Sequence, residues 1–310
     1  MTELREFRRQ ALLMGSAFEF VIMAPEAQGG RLLDSSVAEV KRLELLLTEF
    51  DPASQTSLIN QAAGVEPVTV PEEVYQLILR SKNISNLTQG AFDITSGLLK
   101  RLYNFKGQHF IFPGRRQLRE ALNKVGYQNI ELREPQQVFL RRKGMHIGFG
   151  GIGKGYAADK VKAMLAREGI TSGVINASGD LTAWGTRADG SPWRVGIADP
   201  EKPDKMLLWL PLENASVATS GDYEQFFIKD GIRYAHTIDP KSGLPVKEIK
   251  SVTIVSPVAE LADALATAVF VMGVEVGLHL INQLPQTHGL IVNNENKVFT
   301  SRKLNINFTR

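Results

Sequence analysis

Residues 148–155 have the sequence Gly148-Phe149-Gly150-Gly151-Ile152-Gly153-Lys154-Gly155, in which five of eight residues are glycine. Short apolar segments at 138–140 and 145–147 precede this turn and predict strands. Gly169 predicts the end of a helix that follows the turn. The apolar face of that helix comprises Ala157, Val161, Met164 and Leu165. The stretch therefore predicts a strand, a glycine turn and a helix that carries Lys154 at its start.

The composition of this turn is typical of a phosphate-binding site. Glycine residues let a backbone approach a ligand closely. The free N–H groups at a helix N-terminus attract anions, and Lys154 adds a full positive charge. A tight turn without a ligand is the alternative, but five glycines beside a lysine favour phosphate binding.

Two nucleotide-binding motifs match the turn imperfectly. Gly148, Gly150 and Gly153 form G-x-G-x-x-G, but a dinucleotide site also needs a hydrophobic strand before the turn and an acid ending the next strand. Basic residues interrupt the preceding strand, and the next one ends at Asn176. The G-x-x-x-x-G-K pattern of a P-loop is followed by Gly155 instead of Ser or Thr. A nicotinamide-dependent oxidoreductase remains an alternative, and a P-loop nucleotidase is a weaker one.

The composition is that of a soluble globular protein. The chain has 310 residues, of which 43% are hydrophobic and 22% charged, so one large domain or two medium ones are expected. A net charge of +3 is too small to indicate binding to nucleic acid or an anionic membrane. Since the chain contains no cysteine, disulfides, thiolate metal sites, cysteine nucleophiles and a lipoprotein anchor on these residues are excluded.

Targeting signals are not found in this sequence. Residues 1–10 are charged and lack the apolar segment of a signal peptide. No stretch approaches the roughly eighteen consecutive apolar residues of a transmembrane helix. These features predict a cytoplasmic protein, whereas a leader removed from the chain would make it periplasmic.

The order of elements predicts an α+β fold of mixed sheets with packed helices. Before the glycine turn we expect a strand at 11–24, a helix at 32–50, a polar turn at 54–60, a helix from residue 71, a small-residue turn at 90–97 and a helix at 118–125. After the central helix we expect strands at 174–180, 193–198, 206–212, 215–222 and 252–256, helices at 260–272 and 274–284, and a hairpin at 289–300. Strands and helices do not alternate strictly, which favours α+β over α/β. Residues 1–310 are expected to form a single domain, or two closely packed lobes of one.

Three polar residues near the carboxyl end suggest chemistry. Asp263 and Thr267 are four residues apart, so they share one face of a helix. A carboxylate and a hydroxyl are hard oxygen ligands that suit Mg²⁺; buried side chains bonded to the backbone are the alternative. His236 precedes a turn and is a candidate general base, or a structural histidine.

The order of these blocks closely resembles the ApbE family, whose members are FAD:protein FMN transferases. The blocks at 218–223, 234–246 and 262–273 carry the resemblance. The glycine–lysine turn at 150–159 continues it upstream, with further matches at 92–97, 52–60 and 14–16. The likeness extends from residue 12 to residue 300, and ordered blocks of this kind are more specific than a single motif.

The resemblance implies an ApbE-like, T-fold-related architecture and a magnesium-dependent reaction. FMN would be transferred from FAD to a Ser or Thr hydroxyl of an acceptor flavoprotein subunit or domain, and AMP would leave. By position, the expected Mg²⁺ ligands are Asp263, Thr267 and the Gly151 carbonyl. The expected FAD contacts are Met14, Phe50, Ala91, Phe92, Asp93, Gly148, Lys154 and Ile238. His236 and Lys154 would act at the pyrophosphate, with His236 as the base.

The sequence departs from the family pattern at two positions in this set. The family usually has an Asp just before its glycine turn, where this chain has Gly148. It often has a Tyr where this chain has Phe50, which keeps an aromatic ring but loses a hydroxyl. A relative that binds or hydrolyses FAD without modifying a protein is therefore the second hypothesis.

Overall fold

The computed structural model describes residues 3–105, 111–200, 202–221, 226–302 and 304. Its helices are α1 (Glu26–Leu47), α2 (Gln55–Gln61), α3 (Glu72–Leu87), α4 (Gly97–Lys100), α5 (Arg115–Leu122), α6 (Gly153–Arg167) and α7 (Ala259–Ile281). Its strands before α6 are β1 (Leu4–Leu13), β2 (Ser16–Pro25), β3 (Val68–Thr69), β4 (Ile130–Arg133) and β5 (Gln137–Leu140). Those after α6 are β6 (Gly173–Ala177), β7 (Asp180–Trp184), β8 (Trp193–Asp199), β9 (Lys202–Leu212), β10 (Asn214–Gly221), β11 (Phe226–Lys229), β12 (Ile232–Ala235), β13 (Ile249–Ser256), β14 (His288–Asn293) and β15 (Val298–Thr300).

One antiparallel sheet organises the fold. In the described part of the chain it has eight strands in the order β1-β2-β6-β7-β10-β13-β14-β15. Side chains alternate between the two faces of a strand, so Phe20 and Ile22 of β2 join the core beneath the helices. Val21 and Met23 face the opposite side and pack with residues of the β8–β9 ribbon. The sheet is therefore covered on both faces, by helices α1, α6 and α7 on one and by a two-stranded ribbon on the other.

Helices α6 and α7 are held together at their amino-terminal ends. Asp159 of α6 accepts hydrogen bonds from the backbone N–H groups of Ala259 and Glu260, at 3.1 and 2.8 Å, and so caps α7. Arg80 of α3 forms a bidentate ion pair with the buried Glu260 at 2.7 and 2.9 Å. Gly155 of α6 lies against the Ala259 backbone, where a Cβ would overlap the carbonyl group. These contacts fix the first turns of both helices. Lys154 and Asp263, which line the site described below, lie in or next to these turns.

The close approach at Gly155 gives a stability prediction. Gly155→Ala is expected to lower the free energy of unfolding by about 1–3 kcal/mol, because the added methyl group must push α6 away from α7. The measurement is the urea midpoint, with Gly30→Ala as the matched control. Gly30 lies in α1, where a Cβ meets no heavy atom within 4 Å, so that change should raise stability by about 0.5–1 kcal/mol. Equal midpoints for Gly155→Ala and the wild type would contradict the packing described here.

The α+β class is confirmed, as are the helix from residue 71, the helix after the glycine turn and the hairpin at 289–300. The strand predicted at 11–24 is wrong: β1 and β2 form a hairpin around Met14 and Gly15, which have φ values of 50° and 70°. This tight turn suits a hairpin, but Met at its first position is not a typical turn signal. Within the predicted polar turn at 54–60, Ser54 instead caps α2 by accepting a hydrogen bond from Ser57 N–H.

Two further predictions are corrected, the strand at 145–147 and the start of the helix at 32–50. Residues 145–147 are not a strand, because the Asn60 side chain rather than a neighbouring strand pairs with the Ile147 backbone, at 2.7 and 3.0 Å. The two helices predicted at 260–272 and 274–284 are confirmed as the two helical segments of α7, which are separated by a kink at Gly273, whose φ of 80° is not helical. The helix predicted at 32–50 begins earlier, at Glu26. Residue 222 of the strand predicted at 215–222, and residues 106–110, lie outside the described residues.

Helix α7 has the length and hydropathy of a membrane span, with a mean hydropathy of 1.9 in its most apolar window. In this fold its apolar residues pack on β10, β13 and β14, where Leu265, Val269 and Phe270 are fully buried. Among the described residues no second helix has that length and hydropathy. Burial against the sheet accounts for the apolar sequence of α7 as that of a core helix.

Candidate functional site

A cavity of about 770 Å³ opens where the glycine turn, β7, β10 and α7 meet. Eleven of the twelve residues predicted for the site line it: Phe50, Ala91, Phe92, Asp93, Gly148, Gly151, Lys154, His236, Ile238, Asp263 and Thr267. Phe50 lies at the mouth with 85% of its surface exposed, so its ring is available to stack on a planar ligand. Met14 does not line the cavity; it lies in the β1–β2 turn, and Ser16 lines the cavity instead.

The glycine turn delivers Lys154 to the cavity at the start of α6. The Lys154 ammonium group lies 2.7 Å from a carboxylate oxygen of Asp180, whose side chain is 6% exposed. Asp180 begins β7 directly after a turn in which Ser178 and Gly179 have φ values of 57° and 102°. The predicted phosphate-binding lysine is therefore paired with a buried acid, Asp180, that lies 26 residues further along the chain.

Asp263 and Thr267 lie on the same face of α7, as their spacing predicted. Asp263 is 6% exposed and accepts a hydrogen bond from the Gly155 backbone N–H at 3.1 Å. Thr267 Oγ1 lies 3.4 Å from Ser220 Oγ. A Cβ on Gly151 would lie 3.1 Å from Thr267 Oγ1, so only glycine lets the turn backbone approach this hydroxyl without displacing it.

The electrostatics of this corner fit a cation. Burial raises the pKa of Asp263, and the neighbouring Asp180 carboxylate raises it further, although Lys154 opposes both effects. Two buried carboxylates share one lysine beside neutral oxygen donors, and a bound cation would offset both the burial and the mutual repulsion of these carboxylates. No group of three His, Cys, Asp or Glu side chains forms a metal cluster among the described residues. A hard cation held by one carboxylate, a hydroxyl and a carbonyl does not need such a cluster, so this donor set fits Mg²⁺.

The turn that follows β12 positions His236 and Ile238 at the cavity wall. Backbone hydrogen bonds join Ala235 and Thr237 to Val246 at 2.8 and 2.9 Å. Asp239 accepts hydrogen bonds from the backbone of Lys241 and from the backbone and side chain of Ser242. Asp239 therefore serves the turn itself, while His236 is half-buried and faces the cavity.

Asp93 has a structural function in addition to its place in the cavity wall. One carboxylate oxygen accepts hydrogen bonds from the Thr95 backbone and hydroxyl at 2.8 and 2.7 Å. The other accepts from the Tyr127 backbone at 2.9 Å. Burial raises the pKa of Asp93, and these donors oppose that effect. The carboxylate thus secures the predicted turn at 90–97 against the segment around Tyr127.

Two acids of the cavity were missed in the sequence, Asp180 and Glu49. Asp180 follows a polar Ser-Gly turn at the end of a strand, and this position was the available signal. Glu49 lies just beyond α1, between Thr48 and Phe50, and had no distinguishing pattern. Its carboxylate contacts Arg101 and His146, 2.5 and 2.9 Å away.

The dinucleotide-binding alternative lacks its structural context. A G-x-G-x-x-G turn of that type follows a buried strand of a parallel βαβ unit. Here residues 145–147 are not a strand, and every strand pairing in the described residues is antiparallel. The glycine pattern therefore belongs to a different kind of site.

Solved structures share this architecture. The ApbE protein of Thermotoga maritima has 32% sequence identity and a TM-score of 0.87, covering 96% of this chain and 97% of that protein. The flavinyl transferase ApbE of Pseudomonas stutzeri, in its apo form, has 27% identity and a TM-score of 0.87, covering 96% and 95%.

Sequence comparisons agree with the structural ones. An FAD:protein FMN transferase of Klebsiella pneumoniae is 32% identical over 100% of this chain and 96% of its own length. The FAD:protein FMN transferase of Treponema pallidum is 31% identical over 96% of this chain and 87% of its own length. The family model described as ApbE family matches residues 14–291. Because that match includes the glycine turn, Lys154 and the α7 acid, the chain belongs to the ApbE family.

Proposed function

We propose that this protein transfers FMN from FAD to a Ser or Thr hydroxyl of an acceptor flavoprotein, with Mg²⁺ bound and AMP released. Its relatives over nearly the whole chain are FAD:protein FMN transferases, so the enzyme is a transferase and FAD is its substrate. The observation that supports the proposal most is that the buried Asp263 and the half-buried Thr267 line one cavity with Lys154 and His236. A nicotinamide-dependent oxidoreductase would give this set of four groups no role, whereas FAD hydrolysis would use the same groups and is separated by its products.

In the proposed reaction, the acceptor hydroxyl oxygen forms a bond to the phosphorus on the FMN side of the pyrophosphate. The bond from that phosphorus to the bridging oxygen breaks, and the bridging oxygen leaves with AMP. His236 accepts the hydroxyl proton. Lys154 and the N-terminus of α6 stabilise the negative charge that develops on the phosphates. Held by Asp263, Thr267 and the Gly151 carbonyl, Mg²⁺ would supply further charge neutralisation as a Lewis acid.

Product analysis separates this proposal from its alternatives. The protein is incubated with FAD, Mg²⁺ and a purified family acceptor domain, and flavin is measured in free and protein-bound form. Transfer predicts AMP together with covalently bound FMN on the acceptor. Free FMN and AMP without labelled acceptor would identify an FAD pyrophosphatase. Binding of a nicotinamide nucleotide without FAD binding would favour the oxidoreductase.

Lys154→Met is expected to weaken FAD binding about tenfold or more, because the ammonium group meets a phosphate only in the nucleotide. Riboflavin, which has no phosphate, should bind both proteins almost equally. Flavin fluorescence titration gives both dissociation constants. Lys160→Met is the matched control, since Lys160 lies on the same helix but 3.9 Å from Glu73 and outside the cavity lining.

The thermal unfolding midpoint of Lys154→Met must be measured beside this titration, so that a loss of stability is not taken for a loss of FAD binding. Removal of Lys154 leaves Asp180 buried beside Asp263 without its ion-pair partner, which destabilises the folded state. Equal weakening towards FAD and riboflavin in a folded Lys154→Met protein would contradict a phosphate contact.

A further inference from the structure

Glu49 is a cavity-lining carboxylate to which the proposed reaction gives no role. It lies two residues beyond the end of α1, and 25% of its side chain is exposed. The backbone around it is fixed, because Ser54 Oγ donates to the Thr48 carbonyl at 2.5 Å and Phe50 N–H donates to Thr48 Oγ1 at 3.2 Å. The Glu49 side chain therefore projects from a well-held segment.

One oxygen of this carboxylate is occupied and the other is not. Oε2 lies 2.5 Å from Arg101 Nη2 and 2.9 Å from His146 Nε2. No hydrogen-bond donor contacts Oε1 among the residues that the structure describes. The hydrogen bond with His146, supported by the charge of Arg101, lowers the pKa of Glu49 although burial opposes this. At neutral pH the result is an anchored carboxylate with one acceptor oxygen left for a ligand.

That oxygen lies next to the position where the glycine turn begins. A Cβ on Gly148 would lie 3.5 Å from Glu49 Oε1, which is ordinary van der Waals contact. The backbone at Gly148 does not have a left-handed φ, so a side chain there would not be strained for that reason. An acid at residue 148 and the acid at residue 49 would therefore occupy the same corner of the cavity.

The chemistry of a carboxylate limits what it can bind there. An ionised carboxylate only accepts hydrogen bonds, and it repels the phosphates of FAD. The ribityl and ribose chains of FAD flank the pyrophosphate and carry hydroxyl donors, which form short, strong bonds to carboxylates. Glu49, Gly148 and Lys154 line the same cavity, so with the pyrophosphate at Lys154, as the proposed function has it, an adjacent sugar hydroxyl would reach this corner.

We propose that Glu49 Oε1 accepts a hydrogen bond from a sugar hydroxyl of bound FAD, and so supplies from the end of α1 the carboxylate that residue 148 lacks. This inference rests on the proposed function, since it takes FAD as the ligand. It makes Glu49 a substrate-binding residue, with Arg101 and His146 as the residues that position it.

The first test compares Glu49→Gln with a matched control. Glu49→Gln keeps the shape but removes the charge, and the dissociation constant for FAD should rise about tenfold. Glu131→Gln is the control, because Glu131 is likewise held by two basic side chains, Arg133 and Arg141, but does not line the cavity. A folded Glu49→Gln protein that binds FAD like the wild type would overturn the inference, as would an equal loss in Glu131→Gln.

Titrations with FMN and with ADP distinguish the two sugars. A loss of affinity for FMN together with FAD assigns the ribityl chain, and a loss for ADP together with FAD assigns the ribose. Either result supports the inference. A loss for FAD with no loss for either fragment would overturn it, because the contact would then not be with a sugar hydroxyl.

Moving the carboxylate from residue 49 to residue 148 tests whether the two positions serve the same contact with FAD. Gly148→Asp alone places a second carboxylate beside Glu49, and like-charge repulsion should weaken FAD binding. In the double variant Glu49→Gln/Gly148→Asp, residue 148 carries a carboxylate and residue 49 does not. FAD binding should then recover towards the wild-type value. No recovery in a folded double variant would count against the inference.

Transfer assays keep this inference separate from the proposed function. If wild-type protein binds FAD but never labels an acceptor, the proposed transfer fails while the Glu49 titrations still decide the contact. If wild-type protein labels the acceptor and Glu49→Gln binds FAD normally, only the inference about Glu49 fails.

Discussion

Asp263→Asn is expected to lower magnesium-dependent FMN transfer by about 10³-fold, because it removes the only carboxylate among the three proposed metal ligands. Asn keeps the shape of the side chain and an oxygen that can accept the Gly155 N–H. The measurement is the rate of acceptor labelling across a range of Mg²⁺ concentrations. Higher Mg²⁺ should restore little activity, since the charge that holds the ion is missing.

The fold should survive this change. Burial raises the pKa of Asp263 in the folded state, so its charge opposes folding at neutral pH when no metal is bound. Without Mg²⁺, the thermal midpoint of Asp263→Asn should therefore equal or exceed that of the wild type. Thr267→Val is the milder companion, because it removes a neutral ligand and keeps the shape. Wild-type labelling rates in Asp263→Asn would show that the metal is held elsewhere.

His236→Gln is expected to slow transfer by about 10²–10⁴-fold with little change in the dissociation constant for FAD. The reason is that the base acts on the acceptor hydroxyl and not on the bound dinucleotide. Single-turnover labelling measures the chemical step, and fluorescence titration measures binding. Added imidazole should partly restore the rate, since a small base can enter the space left by the side chain.

His279→Gln is the control for this variant, because His279 is exposed on α7 and lies outside the cavity lining. A loss of FAD affinity that accounts for the whole rate effect in His236→Gln would assign His236 to binding. An unchanged labelling rate would remove it from the reaction.

The sequence predicted those features of the site that depend on neighbours along the chain. Asp263 and Thr267 share a helix face because they are four residues apart, and the glycine turn opens α6 with Lys154 in its first turn. The alternating apolar pattern of strands such as β13 likewise indicated the sheet. The position of His236 before a turn made it a candidate base, and the family resemblance added Phe50 and Ile238; all three line the same cavity.

Features that depend on distant residues could not be predicted in this way. Lys154 pairs with Asp180 across a separation of 26 residues, and Glu49 meets Arg101 across 52. No periodicity relates such positions, because only the fold brings β7 to the start of α6 and the end of α1 to the segment after α4. The segment at 145–147 was mistaken for a strand for the same reason, since its partner is the side chain of Asn60.

The intact mass of an acceptor domain, measured after incubation with this protein and FAD, tests the central claim most directly. With Mg²⁺ present, we expect the acceptor to gain the mass of one FMN less one water, and one AMP to be released for each acceptor labelled. Removal of Mg²⁺ with a chelator, or replacement of the acceptor Ser or Thr by Ala or Val, should abolish the gain. An acceptor of unchanged mass, while FAD is bound or is hydrolysed to free FMN, would contradict the account.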